Sequence, residues 1–430
     1  MNSIINDKNT FIKCPRGTKD ILPKDKIAWY DIENIAHNTL QSYGYEEIRT
    51  PIFEETQLFE RSIGEYTEVV NKEMYTFLDQ GNRQLTLRPE GTAGVVRSLI
   101  ENQLYLNQIN RLWYYGPMFR YERPQSGRQR QFHQLGIECI GTFDARADFE
   151  IISIAWRLLQ SLQISNLKLE INSIGDSKDR EEYISSLRLF FNQYTNELDE
   201  QSLKTLKKNP LRLLDSKSEK IKSIIKNAPL LNNFLGEDSK RHFAELCNFL
   251  DIAKIPYKIN PKLVRGLDYY TYTAFEIKSK QLGAQDTVCG GGRYNNLIEQ
   301  LNGPSIPAVG CALGIERLLL LYQQQNQKRD SIDFMIINLD ESTKTQSILV
   351  MNSMHELGFN THLSLYPVKI NKQIKKATKL QVRACIIIGE DEIKNNTINI
   401  RWMKSKKQTR MSINDLNQIK YTYLEELLVR

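Results

Sequence analysis

RLWYYGPMFRYERPQSGRQRQFHQLGIECIG, residues 111–141, is the stretch on which the fold turns. Two runs rich in β-formers flank a polar loop, Arg123 to Arg130, that contains Pro124 and Gly127, and the pattern reads as a long antiparallel hairpin. Side chains alternate along a strand, so Phe132, Gln134, Gly136 and Glu138 share one face while His133, Leu135, Ile137 and Cys139 share the other. On the first arm Arg120 and Glu122 point the same way. One sheet face is therefore apolar and buried, and its opposite carries arginine, glutamine and carboxylates. A solvated surface is the competing reading, but a merely wet face needs neither the Phe132 ring nor Gly136 among its polar groups. The pattern predicts a pocket floor.

Upstream, Asp25 to Tyr43 carries apolar residues at Ile27, Tyr30, Ile35 and Leu40, which predicts an amphipathic helix ended by Gly44. GYEEIRTPIFE then reads as extended chain, because Pro51 lacks a backbone donor and pushes Thr50 toward β. A strand at Leu85 to Arg88 leads through a Pro-Glu-Gly turn into a helix beginning near Thr92. Such a turn is expected to point the Glu90 side chain and the free N–H groups of the helix start outward together.

Downstream, residues 176–258 are Lys-rich, helical and low in Gly, and they read as an inserted helical module. LVRGLDYYTYTAFEIKS follows, with the aromatic and Thr content of a strand. The glycines of GGGRYNNLIEQL permit close approach to a ligand or to another strand. AVGCALGIERLLLLYQQQ reads as a buried strand, a Gly turn and a helix with Arg317 in its first turn. A cation there opposes the helix dipole, which points to an anionic partner. From about Asp330, strands alternate with helices, predicting a small α/β domain with a largely parallel sheet. Its Lys372, Lys375, Lys376 and Lys379 fall on nearly one helix face. That face reads as solvated surface or, with the basic loop near Lys404, Lys406 and Lys407, as a nucleic-acid surface.

Composition narrows the class. At 430 residues the chain is long enough for about three domains at roughly 150 residues each. With 40% hydrophobic and 25% charged residues, it is neither collagen-like nor wholly disordered. Its longest apolar runs, such as Leu318 to Tyr322, have five residues, far short of the roughly 20 of a membrane span. The start, MNSIINDKNTFIKCPRG, has neither an apolar signal core nor an Arg-rich amphipathic pattern, so an ordinary frayed N-terminus is expected. Six cysteines without a CxxC pair suit a reducing compartment, and five histidines show no metal spacing, so no metal site is expected. The net charge of +7 is unevenly spread: residues 201–262 hold 13 Lys/Arg against 6 Asp/Glu, residues 361–430 hold 14 against 6, and the remainder 31 against 39. Two basic segments thus accompany a mildly acidic body.

RGTKDILP at 16–23, LTLRPEGTAGVVRS at 85–98, FRYERPQSGRQRQFHQLGIECIG at 119–141, LVRGLDYYTYTAFE at 263–276, GGGRYNNL at 290–297 and GCALGIERL at 310–318 together resemble the histidyl-tRNA synthetases, a class II aminoacyl-tRNA synthetase family. The resemblance covers almost the whole chain and is weakest in the first ten residues and in 176–258. It implies an α+β catalytic domain on an antiparallel sheet (1–175 and 259–326), a helical insertion (176–258) and a C-terminal α/β anticodon-binding domain (330–430). It implies a homodimer with the strand around Pro51 at the interface. The implied reaction, used in translation, joins L-histidine and ATP into histidyl-adenylate and pyrophosphate, then transfers histidine to the 3′ end of its tRNA.

Residue chemistry agrees with that implication. In-line attack of a carboxylate on the α-phosphate builds negative charge, so the protein has to supply fixed positive charge and position. Arg120 and Arg265 are candidates for the α-phosphate and the carboxylate and are the expected catalytic pair. Arg128 and Arg317 would hold the outer phosphates, with Mg²⁺ accompanying ATP and no dedicated protein ligands assigned. Phe132 can stack on adenine and Glu122 can accept from its amine. For histidine, Glu138 offers an acceptor to a ring N–H, Tyr270 closes the other side, and Glu90, Thr92 and Gln134 take the α-amino group. Gly91, Arg120, Arg265, Tyr269 and Tyr294 complete the expected histidine set, with core packing the competing reading for both Tyr269 and Tyr270. By resemblance, Arg123 and Gln125 are candidates for the extra 5′ nucleotide at the tRNA acceptor end, and both read equally well as solvated loop residues.

Departures are small: Asn295 stands where the family usually has Asp, and LYPVKINKQIKKATK diverges within a compact C-terminal domain. A synthetase-like regulatory subunit of ATP phosphoribosyltransferase is the main competitor, but such proteins typically lose the ATP arginines and the C-terminal domain. A class II synthetase for proline, threonine or glycine is opposed by RGLDYY with Gln134 and Glu138. The expected partners are histidine tRNA, ATP and L-histidine, without a membrane. The expected location is the cytoplasm, or the plastid stroma if an organelle genome encodes the chain.

Overall fold

The computed structural model describes residues 11–64, 67–106, 109–214, 216, 218–264, 267–283, 286–323, 332–365 and 369–428. The first ten residues of the expected frayed N-terminus, and Arg265, lie outside them. Contacts divide the chain into two units, Met1–Gln327 and Lys328–Arg430.

The first unit is built on the hairpin. Strands Asn110–Phe119 and Gln131–Ile140 pair antiparallel from Asn110 opposite Ile140 to Phe119 opposite Gln131. The eight-stranded sheet runs in the order Glu46–Glu47, Asn110–Phe119, Gln131–Ile140, Ala308–Gly314, Thr287–Arg293, Thr271–Ser279, Leu167–Ser173, Tyr257–Ile259. Its six central strands are antiparallel, and the short strand at each edge joins parallel.

Register decides what each face does. Gln134 lies between Gly116 and Gly314, Gly136 between Tyr114 and Ala312, and Glu138 between Leu112 and Gly310. One row further, Gly290 faces Ala312 and Glu276, and Gly292 faces Gly310 and Ala274. Small residues on three adjacent strands thus lower one face into a trough. The opposite face carries Leu135, Ile137, Cys139, Val309, Leu313, Cys289, Phe275 and Ile277, all buried. They pack beneath helices Pro23–Ser42, Ala145–Ser161 and Ile315–Gln323, and each fully buried aliphatic chain there stabilises by about 1.5–3 kcal/mol. The helix predicted from Asp25 begins at Pro23, whose missing N–H costs nothing in a first turn.

The glycine triplet resolves toward strand contact at two positions. A Cβ on Gly291 would overlap the Gly310 carbonyl, and one on Gly292 the Thr273 carbonyl. The next residue, Arg293, is fully buried and ion-pairs with Asp148, also fully buried, through Nε at 3.0 Å and through Nη2. His242 Nε2 stands 3.2 Å from the same carboxylate. Burial works to raise the Asp148 pKa, but the Arg293 charge and the His242 and Arg293 hydrogen bonds prevail and hold it at about 2. His242 belongs to helix Glu237–Ile252, so this helix of the Lys-rich segment is tied into the body's core, where its Leu246 and Leu250 are buried.

A smaller sheet, Phe53–Glu55, Gln84–Leu87 and Tyr75–Leu78, is antiparallel and leaves Ile52, Phe53, Phe77 and Leu78 exposed.

The second unit is a five-stranded sheet in the order Thr361–Leu363, Phe334–Asn338, Ala384–Ile388, Thr397–Trp402, Gln408–Ser412. The first three strands are parallel, but the last three form an antiparallel meander, so the sheet is mixed rather than largely parallel. The link from Ile388 to Thr397 is shorter than the ~12 residues that a parallel crossover requires. On helix Ile370–Lys379, Gln373 and Ala377 are buried while Lys372, Lys375, Lys376 and Lys379 are exposed.

Candidate active site

A cavity of about 340 Å³ opens on the trough face of the large sheet. Glu90, Thr92, Arg120, Glu122, Arg128, Phe132, Gln134, Tyr269, Tyr270, Tyr294 and Arg317 all line it.

One end is polar and uncharged or acidic. Glu90 is almost wholly buried, and its carboxylate turns back onto the helix it precedes, accepting from the Thr92 and Ala93 N–H groups at 2.8 Å each. The sequence expectation of a carboxylate and free N–H groups both pointing outward is corrected accordingly: the carboxylate satisfies those donors itself. Burial raises its pKa against those hydrogen bonds. Thr92 donates to Glu138 Oε1 at 2.8 Å, and Tyr294 donates to Glu138 Oε2 at 2.5 Å. Glu138 therefore sits just behind the lining, held by two hydroxyls that do line it. Burial pushes its carboxyl up to about 8, opposed by those hydrogen bonds and assisted by the Glu90 charge. Gly310 is required beside it, because a Cβ there would overlap the carboxylate. Gln134 Oε1 is buried with no hydrogen-bond partner among the described residues.

The other end is cationic. Arg120 donates from Nε to the Pro89 carbonyl at 2.8 Å and lies 5.4 Å from the centre of the Phe132 ring. Arg128 Nε pairs with Glu122 Oε2 at 2.5 Å, and Arg120 Nη1 is 3.9 Å from Glu122 Oε1. Arg317 donates to the Thr287 carbonyl at 2.6 Å and the Gly127 carbonyl at 3.3 Å. Burial, then repulsion from Arg128, pushes the Arg317 pKa below its ordinary value. Three guanidinium groups converge here, with Glu122 between them, Glu276 near Arg317 and Glu73 near Arg120 and Arg128, and their planar forks suit the oxygens of a polyanion.

Residues 17–318 match the family model described as Histidyl-tRNA synthetase, and residues 333–419 match the model described as Anticodon binding domain. The chain belongs to the histidyl-tRNA synthetase family. It is 49% identical over 420 residues to the chloroplastic histidine--tRNA ligase of Pyropia yezoensis, covering 97% of each chain. It is 50% identical over 407 residues to the histidine--tRNA ligase of Microcystis aeruginosa, covering 94% of this chain and 96% of that one. Among solved structures, apo S. aureus histidyl-tRNA synthetase superposes with a TM-score of 0.81 at 38% identity, covering 96% of this chain and 100% of that one. The anticodon-binding match falls in the region that a synthetase-like regulatory protein typically lacks.

Within this family framework, sequence reasoning missed several residues of the pocket. Tyr114, Gln129, Glu276, Thr287 and Glu316 line it as well. Tyr114 was legible: it has the parity of Arg120 on the first hairpin arm and faces Gly136. Glu316 carried no such signal. Both its oxygens accept from the His133 N–H, at 3.0 and 2.9 Å, and Oε1 also meets the His133 ring at 3.0 Å. It thereby fastens the helix bearing Arg317 to the strand bearing Phe132. Gly91, expected at the histidine, is not part of the lining; its missing Cβ makes room for the Tyr114 ring.

Arg123 and Gln125 are exposed on the hairpin loop, which closes through reciprocal Gln125 and Arg128 backbone bonds of 3.0 and 2.9 Å. The loop base is held from outside. The Gly17 carbonyl accepts from the Arg130 N–H at 2.7 Å, and Arg130 stacks on Tyr121 at 3.7 Å. Gly17 has φ +87° and packs against the Arg130 side chain, so RGTKD at 16–20 is a brace for the loop.

Proposed function

We propose that this cavity carries both steps of histidine–tRNA ligation, with histidine at the acidic end and ATP at the arginine end. The chain is a histidine–tRNA ligase, consuming ATP to join L-histidine to its tRNA. The observation that carries the residue assignment is the convergence, on one sheet face, of buried ammonium and imidazole acceptors with three arginines.

In this reading the histidine ammonium meets Glu90, Thr92 and Gln134, whose Oε1 has no hydrogen-bond partner among the described residues. Glu138 governs the ring end. As a carboxylate, the form that a bound ammonium favours, it accepts from Thr92 and Tyr294, and those hydroxyls turn lone pairs rather than protons toward the cavity. Tyr269 and Tyr270 close the pocket, and their rings stand 4.7 Å apart. Phe132, with Arg120 over one face, stacks adenine on the other. Arriving phosphates draw Arg128 from Glu122, which frees that carboxylate for the adenine amine, while Arg317 holds the outer phosphates. Arg120 and Arg265 stabilise charge building on the α-phosphate during attack by the histidine carboxylate.

Mg²⁺ would neutralise phosphate charge when it arrives with ATP. Glu276, a hard oxygen donor lining the cavity near Arg317, fits a shared role of that kind. Among the described residues no cluster of three ligands forms a separate metal cage.

Arg123 and Gln125 are assigned to the acceptor end of the tRNA. The exposed lysines of helix Ile370–Lys379 and the basic 201–262 segment are assigned to the RNA backbone, which rewards clustered cations. For the dimer, Phe53 and Phe77, exposed on one face of the small sheet with ring centres 6.5 Å apart, form an apolar surface that a second copy would cover. We place the protein in a cytoplasm or plastid stroma, supported by six free thiols and by a relative named chloroplastic. No helix among the described residues is long and apolar enough to cross a membrane.

The deciding experiment is ATP–pyrophosphate exchange with each of the twenty amino acids. Exchange supported by histidine alone is expected; exchange driven by another amino acid would overturn the pocket assignment. Arg265→Ala should abolish it, and exchange within tenfold of wild type would remove Arg265 from the catalytic pair.

A further inference from the structure

Tyr269 and Tyr270 line the cavity from Leu267–Tyr270, a segment that belongs to no helix or strand. Its carbonyls are held by the inserted module. Arg180, half-buried on helix Ser177–Asn192, donates from Nη1 to the Tyr270 carbonyl at 2.9 Å and to the Asp268 carbonyl at 3.2 Å. Those two carbonyls flank Tyr269, whose buried ring stands 5.7 Å from that of Tyr294. Helix Thr56–Ile63 adds a second hold: the Asp268 N–H donates to the Ile63 carbonyl at 3.3 Å, and a Cβ on Gly64 would overlap the Asp268 carboxylate. Upstream, the fully buried Asn172 donates from Nδ2 to the Leu263 carbonyl at 3.0 Å. In sequence, Arg265 stands between these anchors.

Helix preference does not account for Arg180. It is the fourth residue of its helix, where a cation opposes the helix dipole. The contacts around it fix where it points. Asp179 is buried, forms a reciprocal cap with Asp176, and accepts from the Gly236 N–H at 2.9 Å and the Ser239 hydroxyl at 2.5 Å, which open helix Glu237–Ile252. Just before Arg180's helix, Ile174 and Gly175 exchange backbone hydrogen bonds of 2.6 and 2.7 Å with Tyr272. Tyr272 has φ +49°, a left-handed conformation that a bulky residue rarely adopts and that persists only where its surroundings over-determine it. Its ring is packed on Phe143 and His242, at 5.0 and 5.5 Å. The module and the end of the Tyr269 segment are thus joined at a stiff elbow.

We propose that Arg180 of the inserted module is a positioning residue for amino-acid activation, setting the backbone of Leu267–Tyr270 at the cavity. This rests on the reading that the cavity takes histidine. Arg180 does not line the cavity, so it acts through the two carbonyls and not on a substrate. The two hydrogens of one Nη1 serve both carbonyls at once, which ties Asp268 and Tyr270 to a single point and leaves Tyr269 little freedom between them. Through this contact the module assigned to RNA also shapes the amino-acid end of the cavity.

Arg180→Met tests this, since it keeps an unbranched stem and removes every donor. In ATP–pyrophosphate exchange the KM for L-histidine should rise about 10-fold, with the KM for ATP within twofold of wild type. Arg180→Lys, which keeps one charged donor group, should recover part of that rise. An unfolded fraction lowers the rate without moving a KM, so a lower melting temperature with a histidine KM within twofold of wild type would make Arg180 purely structural and overturn the proposal. Equal rises in both KM values would overturn it as well, because the disturbance would then not be confined to the Tyr269 segment. A lysine variant no better than methionine would assign the effect to lost packing and remove the role of the donor. Wild-type exchange with histidine is the control. If the control fails, the histidine reading falls; if it holds and Arg180→Met keeps the wild-type KM, only the role of Arg180 falls.

Discussion

Glu138→Gln should weaken histidine binding and at the same time make the protein less sensitive to alkaline pH. Glu138 is 1% exposed, with oxygens 2.8 Å from the Thr92 hydroxyl and 2.5 Å from the Tyr294 hydroxyl. In its ionised form, present above about pH 8, the carboxylate accepts from both hydroxyls; glutamine matches its size but replaces one acceptor with an N–H donor, so at that pH one of the two hydroxyls must reverse and present a proton to the cavity. A substrate N–H then meets a donor. The cost of such a mismatch is about 1–3 kcal/mol, or roughly a 5- to 150-fold rise in the KM for histidine. The stability effect follows from the carboxyl being pushed from its ordinary 4.5 up to about 8, chiefly by burial. Between those values the native state keeps a proton that the unfolded chain has lost, so native stability falls as pH rises through this window. That contribution is complete below the unfolded value and gone above about 8. At about 1.4 kcal/mol per unit, the ceiling is on the order of 5 kcal/mol. Glutamine has no proton to lose. Thermal unfolding at pH 6 and pH 9, together with ATP–pyrophosphate exchange over a histidine titration at pH 9, checks both effects. The melting temperature of the variant relative to wild type should rise between the two pH values. A constant difference, together with a histidine KM within twofold of wild type, would refute the reasoning.

Two other expectations concern parts of the molecule away from the chemistry. Arg293→Met leaves the buried Asp148 carboxylate with His242 as its remaining partner, and urea unfolding should show a loss of about 3–5 kcal/mol; an unchanged midpoint would mean that the pair is not holding the sheet to its helices. Phe77→Glu puts a charge on the exposed face formed with Phe53, and light scattering after size exclusion should report a monomer where a dimer is expected of wild type. A dimer of unaltered mass at micromolar concentration would move the interface elsewhere.

The fold and much of the site were legible because the decisive information is local. Strand parity alone separates Phe132, Gln134 and Glu138 from Leu135, Ile137 and Cys139, and the structure puts Phe132 and Gln134 in the cavity lining, Glu138 just behind it, and the second set in the core. The residues that escaped notice depend on contacts between distant segments. Glu316 acts on His133 across the joint between a helix and a strand from separate parts of the chain. Glu90 faced a choice between solvent, ligand and its own helix, and the unpaired N–H groups of Thr92 and Ala93 settled it. In the second unit, alternation of strands and helices suggested a parallel sheet, whereas a short link after Ile388 turned its last three strands antiparallel.

From its sequence alone, this protein had a determined hairpin, a polar face opposite an apolar one, and the residue types able to bind an amino acid and a nucleotide. Periodicity and side-chain chemistry suffice for that, since both are properties of one strand. Only tertiary structure decided that Gly290, Gly292, Gly310, Ala312 and Gly314 lie side by side as a trough and that Glu138 stands behind two hydroxyls. Register between strands far apart in the chain sets these relations, because a one-residue slip would turn every one of those side chains to the other face.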